Sequence, residues 1–272
     1  MAKEPLKKKF KEVGEYAKAN KKPLLVYMVL RVLVILVMVA QFFNGNYENV
    51  FMCVLTLFLL TIPTFIQTKF DIDLPNTLEI IILLFIFAAE ILGEIQEYYL
   101  VFPFWDTMLH VINGFLAAAI GFSLVDILNR NEKFTFSLSP VFVAVIAFCF
   151  SMTIGVLWEF FEFGLDWFLG FDTQKDTVVN YINSVMLNPM NINEPYRIKD
   201  ITEVIVNGQE LGVGGYLDIG LLDTMKDMFV NFIGAVVFST IGYFYVKSRG
   251  EGKFAKRFIP QVVDEENEEK TE

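Results

Sequence analysis

Two cysteines and a single histidine are few for a chain of 272 residues. Cys53 and Cys149 both fall in apolar runs and match no metal-binding spacing, so they suggest neither a disulfide framework nor a cysteine-ligated metal. They read as small buried hydrophobes. Polar surface is scarce as well. Hydrophobic residues make up 54% of the chain, 29 of them Phe, and mean hydropathy is +0.48. A soluble domain of this length needs more polar surface. A basic face and a nucleic-acid reading motif are both missing, which argues against a nucleic-acid partner. The net charge of −10 is segregated: basic residues crowd the first 22 positions and acidic ones the last ten.

What the chain does have is long apolar runs. Spans of about 20 such residues mark membrane-crossing helices. They occur at 24–43, 50–67, 77–99, 105–125, 140–163 and 226–246. The first follows a Lys-rich stretch, but it is too long for a signal peptide and no small-residue cleavage site follows it. The expected fold is all-α: a polytopic membrane protein of about six transmembrane helices with a small extracytoplasmic cap. Its parts are a basic cytoplasmic amino end at 1–23, five helices within 24–163, a cap at 164–222, a sixth helix at 223–246 and a cytoplasmic acidic tail at 247–272. In the cap, Ile201 to Leu211 alternates around Asn207-Gly208, a hairpin signal. The tail from Asp264 is acidic and polar enough to be disordered.

Orientation follows from Lys and Arg in the short flanks. The amino end carries eight Lys from Lys3 to Lys22. Lys69 follows the second span, Arg130 and Lys133 the fourth, and Lys247, Arg249, Lys253, Lys256 and Arg257 the sixth. The loops at 44–49 and 100–104 have none. Both termini are therefore expected in the cytoplasm. Trp105, Trp158, Trp167, Tyr98 and Tyr99 would form an aromatic belt at the outer interface.

Polar groups inside a span are costly and need a reason. Glu90, Glu94 and Glu97 are spaced i, i+4, i+7; so are Asp106, His110 and Asn113; so are Gly155, Glu159 and Glu162; so are Asp227, Asn231 and Gly234. At 3.6 residues per turn each set forms one stripe, and most of the groups would lie within roughly 10 Å of the outer boundary. Gly114 and Ala118, on the His110 stripe, read as close helix packing. Glu79 is the exception at the inner end. A possible internal repeat runs through the same segments: L-x-E-x-x-E at Leu92–Glu97 and Leu157–Glu162, then Asp-Thr-Met at Asp106 and Asp223. It predicts two helical hairpins related by a pseudo-two-fold axis.

The segments Gly93-Glu94, Phe104-Trp105-Asp106-Thr-Met-Leu-His110, Leu157-Trp158-Glu159-Phe-Phe-Glu162 and Asp223-Thr-Met-Lys-Asp227 through Asn231 and Gly234 resemble the YjdF-like family of bacterial inner-membrane proteins. The likeness covers about residues 75–245. The order Asp…His, Glu, Asp…Asn…Gly is similar, more distantly, to the VanZ-like group, whose members are associated with glycopeptide resistance. The Trp-Glu-Phe-Phe-Glu context and the long cap depart from that group. The resemblance implies a bacterial inner-membrane location and supplies no reaction.

Several carboxylates in a low-dielectric site must bind a cation, share protons or pair with basic groups. Lys226 is the only Lys or Arg near these stripes, and it is expected to face the headgroups. A divalent metal (Mn, Zn, Mg or Fe) is thus a candidate cofactor. His110, Glu94, Glu159, Glu162 and Asp227 are the candidate ligands, with Asp106, Asp223, Asn231, Glu97 and Asn113 as further ligands or supporting partners. Three functions compete: a metal-dependent enzyme acting on a lipid or lipid-linked substrate of the bilayer, a non-catalytic envelope protein whose polar cluster is structural, and a proton-coupled carrier. Polar groups at the inner helix ends would favour the last.

Overall fold

The structure is a computed structural model that describes residues 21–70, 72–130, 138–248 and 252–262. The basic residues before Lys21, the Arg130 side chain, Lys133, Arg249 and the acidic tail from Asp264 lie outside this description. The chain is mostly helical and divides into two compact units, Met1–Ile154 with Val230–Glu272, and Gly155–Phe229.

The first unit opens with α1 (Lys21–Phe43), α2 (Tyr47–Leu59) and α3 (Ile62–Phe70). Asn46 caps α2 by accepting the Asn49 N–H at 3.2 Å. The break between α2 and α3 falls at Leu60-Thr61, just before Pro63. Proline has no N–H to give, and its ring crowds the carbonyl four residues back. Next come β1 (Ile72–Asp73), α4 (Asn76–Phe87) and a π-helix (Ala88–Ile95). A short α5 (Tyr98–Val101) leads into α6 (Trp105–Arg130) and α7 (Pro140–Leu169). The last long helix is α8 (Leu221–Lys247).

Among the described residues, five helical stretches are long and apolar enough to cross a membrane: Lys21–Phe43, Tyr47–Lys69, Trp105–Asp126, Pro140–Leu169 and Leu221–Lys247. The stretch expected at 77–99 is not among them, because it is a composite of α4 and the π-helix, each too short alone. It ends at Glu97, whose φ of 58° is left-handed. Strand pairing bears on its role. β1 pairs antiparallel with β8 (Gln261–Val262), Ile72 opposite Val262 and Asp73 opposite Gln261. The segment after α3 and the segment after α8 therefore meet at one end of the bundle. An even number of crossings must separate them. Counting α6, α7 and α8 as three, the composite segment would be the fourth, as the expectation of about six spans requires.

Two apolar cores hold this unit together. Leu30 and Val34 of α1, Cys53 of α2, Leu83 of α4, and Ile91 and Ile95 of the π-helix form one. The other centres on α6, with Leu116, Ala118, Ala119 and Phe122 against Val143, Ala147, Phe238 and Tyr245. Its aromatics interlock edge to face: Phe115 with Phe238, and Phe122 with both Phe238 and Tyr245. Cys149, expected to be buried, lies instead on an exposed face of α7.

The second unit contains the expected cap. β2 (Val178–Val179) pairs with β7 (Tyr216–Leu217), and β3 (Ile182–Ser184) with β4 (Tyr196–Ile198). β5 (Ile205–Val206) and β6 (Gln209–Glu210) form the hairpin expected around Asn207-Gly208. Both turn residues have positive φ, 52° and 83°, as a two-residue hairpin of this twist requires.

Candidate functional site

The polar groups of α6 and α8 are placed by an unusually close helix crossing. A Cβ on Gly114 would lie 2.1 Å from the Asn231 carbonyl oxygen, and one on Gly234 would lie 2.1 Å from that of Val111. The backbones touch where glycine removes the side chain, as expected for Gly114. At this level Asn113 donates to the Asn231 side-chain oxygen at 3.1 Å. The Ser151 hydroxyl on α7 donates to the Gly114 carbonyl at 2.7 Å, and Asn231 donates to the Ser151 carbonyl at 3.5 Å. Three helices are knotted through these groups, of which Ser151 and Asn231 are almost fully buried.

One turn closer to the start of α6 stands His110, buried, with Nε2 3.3 Å from Asp106 Oδ1. Asp106 lies in the first turn of α6, where a carboxylate is favoured by the helix dipole. It also holds the imidazole in one orientation. Trp105 fixes this end of the helix, because its indole N–H donates to the Ala88 carbonyl at 3.2 Å. Ala88 is the first residue of the π-helix.

The third span does not carry the stripe that its spacing predicted. Glu90 is buried, but Glu94 and Glu97 are exposed. The cause is the π-helix, whose i→i+5 bonding advances each residue by less than the α-helical angle. A spacing of seven then no longer returns to one face, and Glu97 lies beyond the π-helix with a left-handed φ of 58°. The same shift weakens the internal repeat. Glu94 is exposed on a π-helix, whereas its counterpart Glu159 is buried on the regular α7. The Asp-Thr-Met half fares better, since Asp106 and Asp223 both lie in the first turn of a long helix.

Within the second unit, Glu159 is buried and Glu162 half-buried on one face of α7. Asp223 is committed to the cap. Its Oδ2 accepts the Lys175 backbone N–H at 3.0 Å and its Oδ1 lies 3.6 Å from the Lys226 ammonium. Asp166 straps the same segment by accepting the Thr173 N–H and hydroxyl, both at 2.6 Å, and the Gln174 N–H at 2.8 Å. Asp227 is buried on α8, four residues before Asn231. Lys226 does more than face headgroups, for its Nζ is 3.7 Å from Asp227 Oδ1.

Of the aromatic belt, Trp158 and Trp167 are exposed. Tyr98 and Trp105 stack edge to face, and Tyr99 covers Gly93. Other polar groups were not anticipated from the sequence. Asp126 and Gln67 are buried in the later parts of their helices, and Glu79, which the sequence singled out, is buried in the first turn of α4. Asp126 escaped notice because it follows the apolar run of α6 by one residue. Arg31, inside the first apolar run, escaped because charge was counted only in the flanks.

These features define an integral membrane protein of several apolar helices, with buried polar groups near the start of two of them. Residues 25–248 match the family described as "Predicted membrane protein (DUF2238)". The match covers most of the chain, which therefore belongs to that family. An uncharacterized protein of Thermotoga maritima is similar, at 27% identity over 114 residues, 40% of this chain. The match spans 57% of that relative's length. No solved structure matches. The comparisons lend no support to the VanZ-like resemblance.

Proposed function

We propose that this chain is a multi-pass protein of the bacterial inner membrane that holds a divalent cation at the outer ends of α6 and α8. The residues that could hold the ion are Asp106, His110 and Asp227. One observation carries the reading: the backbone contact of Gly114 with Asn231 and Gly234 with Val111 locks the two helices side by side. His110 precedes Gly114 by one turn, and Asp227 precedes Asn231 by one turn on an unbroken helix. His110 and Asp227 each lie within about 10 Å of the start of their own helix. One nitrogen with carboxylate oxygens suits Mn, Zn, Fe or Mg. The Asp106–His110 pair is the orienting arrangement common around metal-binding imidazoles. Glu159 and Glu162 are carried as additional candidates, and Glu94 only as an exposed one. The Lys and Arg distribution supports a cytoplasmic position for both termini. In that setting the ion would polarise a phosphoryl or carbonyl group, or activate water, on a lipid or lipid-linked substrate of the outer leaflet.

A second reading has its own support. Lys226 lies within ion-pair distance of Asp227, so the buried carboxylate already has one compensating charge. In that case the polar cluster is a structural lock. The carrier reading gains Asp126 and Glu79 at the inner ends, but Leu116, Ala118, Ala119 and Phe122 form a fully packed apolar layer along α6 between the two polar levels.

Metal content separates these readings. Protein purified in detergent should carry about one equivalent of a divalent metal, and a chelator should lower its unfolding temperature. His110→Ala and Asp227→Asn should each lose the metal and the chelator effect. A wild-type protein without metal that ignores both chelator and added Mn, Zn or Mg would leave the structural lock.

A further inference from the structure

We infer that Arg31 and Tyr27 form a binding site for the phosphate of an anionic phospholipid, in the leaflet nearest the amino end of α1. Arg31 is seven residues into the apolar run that begins at Leu24, about 10 Å deep at 1.5 Å per residue. It is exposed there, on a helix whose outer face is otherwise Leu24, Leu25, Met28, Val32 and Leu33, all exposed to lipid. A charge at that depth is expected to face the interior or to have a partner of opposite sign. Among the described residues, Arg31 has no carboxylate partner. Its hydrogen bond goes to the Tyr27 phenol oxygen, and its guanidinium carbon sits 5.7 Å from the centre of the Tyr27 ring. A neutral phenol leaves the positive charge uncompensated and most of the five guanidinium N–H donors available.

The direction of the side chain identifies the anion. Tyr27 is one turn toward the amino end, so Arg31 reaches back along the helix toward the exposed Lys21 and Lys22. Arginines near a helix end extend in this way to the headgroup layer. A phosphodiester can take two parallel N–H bonds from the guanidinium fork, while the lipid's acyl chains lie on the apolar face of α1. Lys21 and Lys22 add general attraction for an anionic surface. A carboxylate of a partner helix is the competing anion, but such a helix would meet Arg31 from the side, whereas the guanidinium is drawn along its own helix.

Full-length protein in phosphatidylcholine nanodiscs, with and without phosphatidylglycerol, provides the test. Phosphatidylglycerol should raise the unfolding temperature, and native mass spectrometry should show retained phosphatidylglycerol. Arg31→Gln should weaken that retention about tenfold or more, the scale of a charge-assisted hydrogen bond, while unfolding normally in phosphatidylcholine. Arg31→Lys should keep part of the effect, and inorganic phosphate should not replace the lipid. Equal destabilisation of Arg31→Gln in both lipids would point to a protein carboxylate and overturn the proposal. So would unchanged phosphatidylglycerol retention, or stabilisation by inorganic phosphate alone.

Discussion

Adding one methyl group to Gly114 tests the contact on which the site depends. The new Cβ would lie 2.1 Å from the Asn231 carbonyl oxygen, where ordinary contact begins near 3.4 Å. Both helices must part by more than an ångström, and no flexible side chain can yield because the obstacle is backbone. Overpacking of this kind costs about 1–3 kcal/mol. The adjacent Asn113–Asn231 hydrogen bond would be stretched or lost, about 0.6 kcal/mol for an average interhelical bond in a membrane. Against this, alanine is favoured over glycine inside a helix by about 1 kcal/mol. The net is a destabilisation of about 0.6–2.6 kcal/mol, or a fall of about 1–10 °C in unfolding temperature for a chain of this size. Gly164 on α7 supplies the control, since nothing lies within 4 Å of its Cβ position. Gly164→Ala should keep the propensity gain and unfold slightly higher. Thermal unfolding in detergent, followed by tryptophan fluorescence, reads both variants. If Gly114→Ala is as stable as wild type or more so, the helices do not touch there, and the cation reading loses the contact that carries it.

Two further substitutions address charge. Asp176 in the cap has its carboxyl held above the usual Asp range, first by burial and then by the negative charges of Asp172, Asp218 and Asp166. Its ionised form therefore opposes folding, with no cost at acid pH and the full cost once the pH has risen past its folded value. Asp176→Asn should stabilise the protein at neutral pH, by under about 0.5 kcal/mol for so exposed a residue, and the gain should vanish near pH 3 in a thermal scan. Lys226→Met removes the ammonium beside Asp223 and Asp227. On the cation reading it should raise divalent-metal affinity in a titration; on the structural reading it should only destabilise.

Much of this architecture was legible because a membrane imposes simple rules. Length and apolarity give the long helices, and the Asn207-Gly208 pair gives the hairpin, since few residues tolerate its positive φ. The buried faces of α6 and α8 also follow from the 3.6-residue period, with His110, Gly114, Asp227, Asn231 and Gly234 all buried. The third span did not follow because a π-helix leaves no mark in a spacing rule: nothing in Ala88–Ile95 announces i→i+5 bonding. The role of Lys226 was missed for a different reason. Its position in the sequence allows it to face outward, and only the rotamer brings its ammonium to Asp223 and Asp227.

The distribution of polarity along α6 limits what the helix can do. Asp106, His110 and Asn113 occupy its first two turns, and Ser123 and Asp126 its later part. Between them Leu116 through Ala119 and Phe122 are buried without a polar side chain, and Phe115, Phe122 and Phe238 close the layer with edge-to-face contacts. A proton or ion moving along α6 from Asn113 to Ser123 would have to leave that helix's polar side chains for nearly three turns, roughly 15 Å at 1.5 Å per residue. An unpaired polar group in such surroundings costs several kcal/mol, and an ion far more. Glycine deepens the separation, since Gly114 and Gly234 bring the helices too close for water to pass between their backbones. The polar groups at the start of α6 are thus cut off from Ser123 and Asp126 by a packed apolar layer, which argues against passage along this helix.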